Sequence, residues 1–238
     1  MVGSAPSQHA FFDLHCHTSA SFDSLARPRD QVRAAAARGL THLAITDHDR
    51  IDGALEARDH APDGLTVIVG EEVKTADGDL ICLFLERPLA PGRPAIETIA
   101  AAREQGGLVG VPHPFDRHRS SLLREARLAS FVGLIDWVET WNARVVGRSG
   151  NEQAAVFALE HGLPGVAVSD AHSTLEVGVA YNSAPDADPA TPQGLLAALA
   201  RFELVPGRAS YFVRGLTPIA KGINRARGNG RIQPALPL

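Results

Sequence analysis

The chain has 238 residues, 45% of them hydrophobic, enough for one large domain or two small ones with a full core. Its 27 acidic and 23 basic residues are intermixed and give a formal charge of −4, so bulk nucleic-acid binding is not expected. Two cysteines, Cys16 and Cys82, exclude a disulfide framework and a cysteine-rich zinc site, and no leader or spanning segment of roughly 18 apolar residues is legible, so a cytoplasmic protein with no membrane partner is expected.

Strand-like apolar runs fall at Ala10–Leu14, His42–Thr46, Leu65–Gly70, Leu80–Leu85, Leu108–Val111, Ile135–Thr140 and Gly165–Ser169. Between the first two, Pro28 stands where a helix would start and Gly39 where the Ala-rich stretch Gln31–Arg38 would end. Further helices are predicted at Asp52–His60, Ala95–Gln105, Leu122–Leu128, Asn151–His161 and Pro192–Arg201. The third and fourth runs are joined by Ala76-Asp77-Gly78, which reads as a hairpin turn that breaks the regular alternation. Nearly continuous apolar strands separated by helices imply a parallel sheet buried on both faces, for which an α/β barrel is the natural closure. Ala184–Pro192 reads as a loop, so the whole of 1–238 is taken as one barrel domain with its core at about 10–215. The last stretch, 221–238, carries Lys221, Arg225, Arg227 and Arg231 without an acid and reads as a solvated basic tail.

Five of the runs end in side chains that ligate metals. In His15-Cys16-His17 the two imidazoles share one strand face while Cys16 points into the opposite wall. His48 follows the second run between Asp47 and Asp49, which serve equally well as turn-forming groups. Glu71 and Glu72 end the third run, where alternation lets only one point inward without saying which, and leaves the other as a surface glutamate. His113 is mounted between Pro112 and Pro114, with Arg117 and Arg119 close behind, where either is a fork for a substrate anion or both belong to a charged surface loop. Asp170 and His172 repeat the i, i+2 spacing of the first pair. Imidazole and carboxylate together suit Zn²⁺, Mn²⁺ or Fe²⁺, and catalytic groups of parallel barrels gather at the C-terminal ends of the strands, so a polynuclear hydrolase is expected.

From about Phe11 to Asn182, five motifs occur in order: Asp13-Leu14-His15-Cys16-His17-Thr18, Ile45-Thr46-Asp47-His48-Asp49, Gly70-Glu71-Glu72, Pro112-His113-Pro114-Phe115 and Ser169-Asp170-Ala171-His172-Ser173. Together they resemble the PHP (polymerase and histidinol phosphatase) family of metal-dependent phosphoesterases. That resemblance implies a distorted (β/α)7 barrel with two or three divalent ions, Zn, Mn or Fe, at the C-terminal rim. It implies that His15, His17, Glu72 and Asp170 hold the first ion and that Glu72 bridges to a second, shared with His113. Asp23, His48 and His172 would hold the third. It thereby selects Glu72 over Glu71. Many members add a further histidine on the strand after the glutamate, whereas this chain reads Gly78-Asp79-Leu80-Ile81, so either Asp79 is the oxygen ligand in its place or the second site is weaker or filled differently. Asn142, where members often carry a rim asparagine, and Arg117 are the candidate substrate contacts. The implied activity is hydrolysis of a small phosphomonoester through a metal-activated hydroxide, with no protein nucleophile. The alternatives are a phosphodiesterase or 3′-5′ exonuclease on single-stranded or short nucleic acid, and a non-catalytic metal-stabilised module. Lysine occurs only as Lys74 and Lys221, which weighs against an amidohydrolase site with a mid-barrel lysine bridge.

Overall fold

Each expected apolar run forms a strand in the computed structural model, which describes residues 9–117, 119 and 131–232. They are β1 (Ala10–Asp13), β2 (His42–Ile45), β3 (Thr66–Lys74), β4 (Asp79–Leu83), β5 (Leu108–Val111), β6 (Trp137–Asn142) and β7 (Gly165–Val168). Two short strands that the sequence pattern did not mark, β8 (Tyr181–Ala184) and β9 (Glu203–Val205), complete one sheet in the order β7-β6-β5-β4-β3-β2-β1-β8-β9. The pairs β1–β2, β2–β3, β5–β6 and β6–β7 are parallel. β4 runs antiparallel to both neighbours because β3 reaches it through the expected tight hairpin, in which Gly78 adopts φ +146° and its carbonyl accepts from Thr75 N at 2.8 Å. This is the distortion of an otherwise parallel barrel.

The ring closes where β1 and β7 run out. Cys16 makes a parallel bridge to Ala171 just beyond both strands. Farther down, β8 pairs with β1, and the buried Asn182 amide does the work of a backbone ladder against β7. Asn182 Oδ1 accepts from Ala167 N at 2.9 Å, and its Nδ2 donates to Ala167 O at 2.8 Å and Phe12 O at 3.1 Å.

Alternation along the strands splits the core into two layers. Phe12, Leu14, Ala44, Ile68, Ile81 and Val168 face the barrel interior around Trp137, the largest fully buried side chain. Leu43, Ile45, Val67, Val69 and Val109 face the helices. Gly110 makes room for Trp137, since a Cβ there would lie 2.0 Å from its ring. The helices are α1 (Pro28–Ala37), α2 (Asp52–Asp59), α3 (Ala95–Glu104), α4 (Ser149–Glu160), α5 (Pro192–Leu199) and α6 (Tyr211–Ala226). α5 inserts Leu195, Ala198 and Leu199 into the interior cluster. The expected helix at Leu122–Leu128 lies outside the described residues.

α6 was not expected, and it revises the reading of the basic C-terminal stretch as a solvated tail. Ser210 caps the helix by accepting from Val213 N at 3.3 Å, and Lys221 and Arg225 lie within it. The segment is tied down by two asparagines: Asn224 donates to the carbonyls of Ser21 and Ser24, and Asn229 to those of Ser19 and Ala20. Composition registers the charges of such a stretch, whereas docking depends on amides that find partners about two hundred residues away in sequence. Among the described residues no helix is long and apolar enough to cross a membrane.

Candidate metal centre

His15 and His17 leave the end of β1 on one face, fully buried, with their Nε2 atoms 2.9 Å apart. Asp170 Oδ1 lies 3.7 and 3.5 Å from these two nitrogens, and Glu72 Oε2 lies 3.4 and 3.3 Å from them. Asp23 Oδ2 lies 3.4 Å from His48 Nε2 and 3.3 Å from His172 Nε2. Glu72 spans the cluster, with Oε2 3.1 Å from His48 Nδ1 and Oε1 3.2 Å from His113 Nε2. The structure therefore brings together His15, His17, Asp23, His48, Glu72, His113, Asp170 and His172. Two sets of ligand atoms lie within 4.8 Å of one another: His15, His17 and Asp170, and His17, Asp23, His48 and His172.

These separations fit shared cations. Two ligands on one ion at about 2.1 Å stand about 3.0 Å apart at right angles and about 3.4 Å apart at the tetrahedral angle. The lone pairs are also unspent: Glu72 Oε2, Asp170 Oδ1 and His48 Nδ1, all turned into the cluster, are buried without a hydrogen-bond partner. An unsatisfied buried polar atom costs about 1–3 kcal/mol, so several on one focus indicate a missing electrostatic partner. The donor set, imidazole plus carboxylate, is that of Zn²⁺, Mn²⁺ or Fe²⁺.

A surrounding shell aims the rings. His15 Nδ1 lies 2.6 Å from Glu139 Oε1, His17 Nδ1 3.1 Å from Ser21 Oγ, and His172 Nδ1 2.8 Å from the carbonyl of Asp170. Each contact occupies Nδ1 and leaves Nε2 for the focus. Ser21 is held by Asp47, which also accepts from Thr18 N and Thr18 Oγ1, both at 2.6 Å. Asp47 and Asp49 thus act as loop-shaping groups. Asp49, His113 and Asp170 have φ of +58°, +27° and +52°, a left-handed conformation that non-glycine residues hold only when their surroundings impose it.

A β-bulge at Thr140 sets the back of the site. Glu139 pairs with Val166 and Trp141 with Ala167, which leaves Thr140 extra. Without the bulge, Glu139 and Asn142 would face opposite sides; with it, Asn142 Nδ2 donates to Glu139 Oε2 at 2.9 Å and to Asp170 Oδ2 at 3.1 Å. Asn142 is buried, and its Oδ1 accepts from Arg144 N at 2.9 Å, so it positions Asp170 and does not face the cavity as a substrate contact.

Other expectations are also revised. Arg117 is exposed and does not line the cavity; Arg119 does, and its Nη1 pairs with Asp170 Oδ2. Glu71 is not a surface residue but is fully buried on the helix-facing side, where Oε2 accepts from Leu89 N at 2.9 Å. Asp79 lies at the edge, with Oδ1 3.6 Å from Arg231 Nη2 and 4.0 Å from Lys74 Nζ.

Charge inside the cluster is strongly coupled. Burial disfavours a charged His17, yet the Asp170 and Glu72 carboxylates beside its Nε2 raise its pKa to about 9. Burial opposes ionisation of Asp170 too, but Arg119 and His15 hold its pKa well below the usual carboxylate range. Burial lowers His172 to about 4, with His17 and Arg144 adding to the effect against the pull of Asp23, so its imidazole is neutral and able to ligate.

The PHP domain family model matches residues 13–130, and a PHP-associated model matches 148–203. An uncharacterized protein of Methanocaldococcus jannaschii is 34% identical over 142 residues, 55% of this chain and 81% of that protein. The chain belongs to the PHP family of metal-dependent phosphoesterases. A 5′-3′ exoribonuclease of Haemophilus influenzae is 43% identical over 65 residues, covering 27% of this chain and 23% of that enzyme. In fold, the PHP barrel superposes with a TM-score of 0.71 and 19% identity on a two-domain protein of Bacteroides vulgatus, described as containing a predicted PHP-like metal-dependent phosphoesterase. The match covers 84% of this chain and 66% of that one.

Above the PHP cluster lies a cavity of about 220 Å³. Asp23, His48, Glu72, His113 and His172 form its floor, and Arg119, Arg144, Lys221 and Arg231 stand in its walls. Sequence reasoning missed Arg144, Lys221 and Arg231, because they reach the rim from a loop, a C-terminal helix and the segment after that helix, none of which carries a motif. It also missed Glu139, for which a signal existed: a lone acid within the apolar run of a strand buried on both faces needs a partner.

Proposed function

We propose that the chain hydrolyses a small phosphomonoester at this rim. The observation that carries the reading is the pairing of a small cavity with a ligand-lined floor and cationic walls. About 220 Å³ suits a compact substrate, and guanidinium groups match phosphate oxygens. Bound ions would generate a nucleophile from water at neutral pH and neutralise charge on the phosphoryl group. The protein's part is to hold and orient. Glu72 joins the two ligand sets, Arg119 steadies Asp170, and Arg144 donates to Thr217 Oγ1 at 2.7 Å while pairing with Glu176. Lys221 places its ammonium 5.3 Å from the Phe22 ring centre, at the mouth. Among the described residues lining this cavity Thr217 is the only one with a hydroxyl, and it is engaged by Arg144, so no protein nucleophile is assigned.

A phosphodiester substrate is the second reading, favoured by the partial match to an exoribonuclease. Metal-dependent phosphate release from p-nitrophenyl phosphate and a panel of small phosphomonoesters tests the first. Turnover is expected with Mn²⁺, Zn²⁺ or Fe²⁺, and should fall more than about 100-fold in His17→Ala and Asp170→Ala with the circular dichroism spectrum retained. No turnover with any of these ions across the panel would sink the monoesterase. Oligonucleotide affinity that drops steeply with salt, together with cleavage, would favour the diesterase.

A further inference from the structure

The third edge of the cluster is built differently from the other two. His113 presents Nε2 to Glu72, the His15 ring 6.0 Å from its own belongs to the set around Asp170, and among the described residues the sets of three or more ligand atoms are those around Asp170 and Asp23. On that edge Asp79 opens β4 with Oδ1 buried, unbonded and 3.6 Å from Arg231 Nη2. Arg231 is held firmly. Its Nε donates to Asp49 Oδ2 at 2.9 Å, and Asp49 is itself fixed through Oδ1, which accepts from Lys74 N at 2.7 Å. The guanidinium also stands 5.7 Å from the Phe22 ring centre. What remains is Nη2, buried without a hydrogen-bond partner in the cavity that Glu72 and His113 line. A buried donor left unpaired is costly, and a guanidinium fork fits phosphate oxygens.

We propose that this chain works with two divalent ions, and that the Arg231 guanidinium replaces a third, facing Asp79 on one side and receiving a phosphate oxygen through Nη2 on the other. The identity of that anion rests on the phosphoesterase reading; the ion count does not. A fixed positive charge in so small a cavity repels a further dication, and it gives the Asp79 carboxylate a counter-charge without coordination. Asp79 is then a partner of Arg231 and not a ligand. Arg231 is a substrate-binding residue supplied by the C-terminal segment.

The test is metal content and phosphate binding on the full chain, neither of which requires turnover. After reconstitution with Mn²⁺ and gel filtration, elemental analysis should give two ions per chain in the wild type and in Asp79→Asn. Calorimetric titration of inorganic phosphate into the Mn²⁺-loaded protein should show about tenfold weaker binding in Arg231→Met, partly recovered in Arg231→Lys, with the thermal transition retained in each. A wild-type count other than two, loss of an ion in Asp79→Asn, or undiminished phosphate affinity in Arg231→Met would overturn the proposal. If no phosphomonoester is turned over while these results hold, the activity reading fails and the two-ion arrangement stands.

Discussion

Glu71 and Glu72 are neighbours of identical chemistry with opposite fates. Strand alternation sends Glu72 to the ligand cluster and Glu71 into the layer between sheet and helices, where burial raises its pKa from 4.5 to about 8 despite the hydrogen bond from Leu89 N, with Asp49 adding to the rise. Between those two values the folded protein holds a proton that the unfolded chain has released. Stability therefore falls as pH rises through that window. Glu71→Gln keeps an acceptor for Leu89 and removes the ionisation. It should be close to neutral at pH 5 and stabilising by on the order of 3–5 kcal/mol at pH 9, as read by urea unfolding of the metal-free protein. A difference between variant and wild type that does not change with pH would show that Glu71 ionises freely where it is.

Two local devices convert regular strands into a site. The bulge at Thr140 turns Glu139 and Asn142 to the same side, which couples the aim of His15 to the placement of Asp170. The Asn182 amide closes the seam that the short β8 leaves between β1 and β7, satisfying both the N–H and the carbonyl of Ala167. Asn182→Leu preserves volume and abolishes these bonds, leaving buried backbone groups unpaired. It should cost about 3 kcal/mol in urea denaturation, and a cost below about 0.5 kcal/mol would mean that the seam closes without it. Both devices were invisible to periodicity. A bulge is a one-residue slip in pairing that leaves the hydrophobic pattern almost unchanged, and a lone asparagine in a short polar strand carries no composition signal. The long apolar runs were legible because burial on both faces demands hydrophobic residues at every position, and all seven appear within a few residues of the expected bounds.

At the scale of the molecule, the site is a focus of buried charge that ions would complete. Removing them leaves Asp23, Glu72 and Asp170 facing histidines with lone pairs unmatched, so metal removal should destabilise the whole barrel. With ions at a thousandfold their dissociation constant, linkage gives about 4 kcal/mol, or a fall of about 10 °C in Tm on chelation, as measured by calorimetry with and without EDTA. An unchanged Tm would show that the cluster contributes nothing to folding. The sequence by itself determined the barrel strands and the metal-binding residue types at their ends, because alternation and motif spacing are local properties of a chain. Tertiary structure alone decided which arginines face the cavity, that Asn142 supports Asp170, and that Lys221 and Arg231 stand at the rim, because each depends on contacts between residues far apart in sequence.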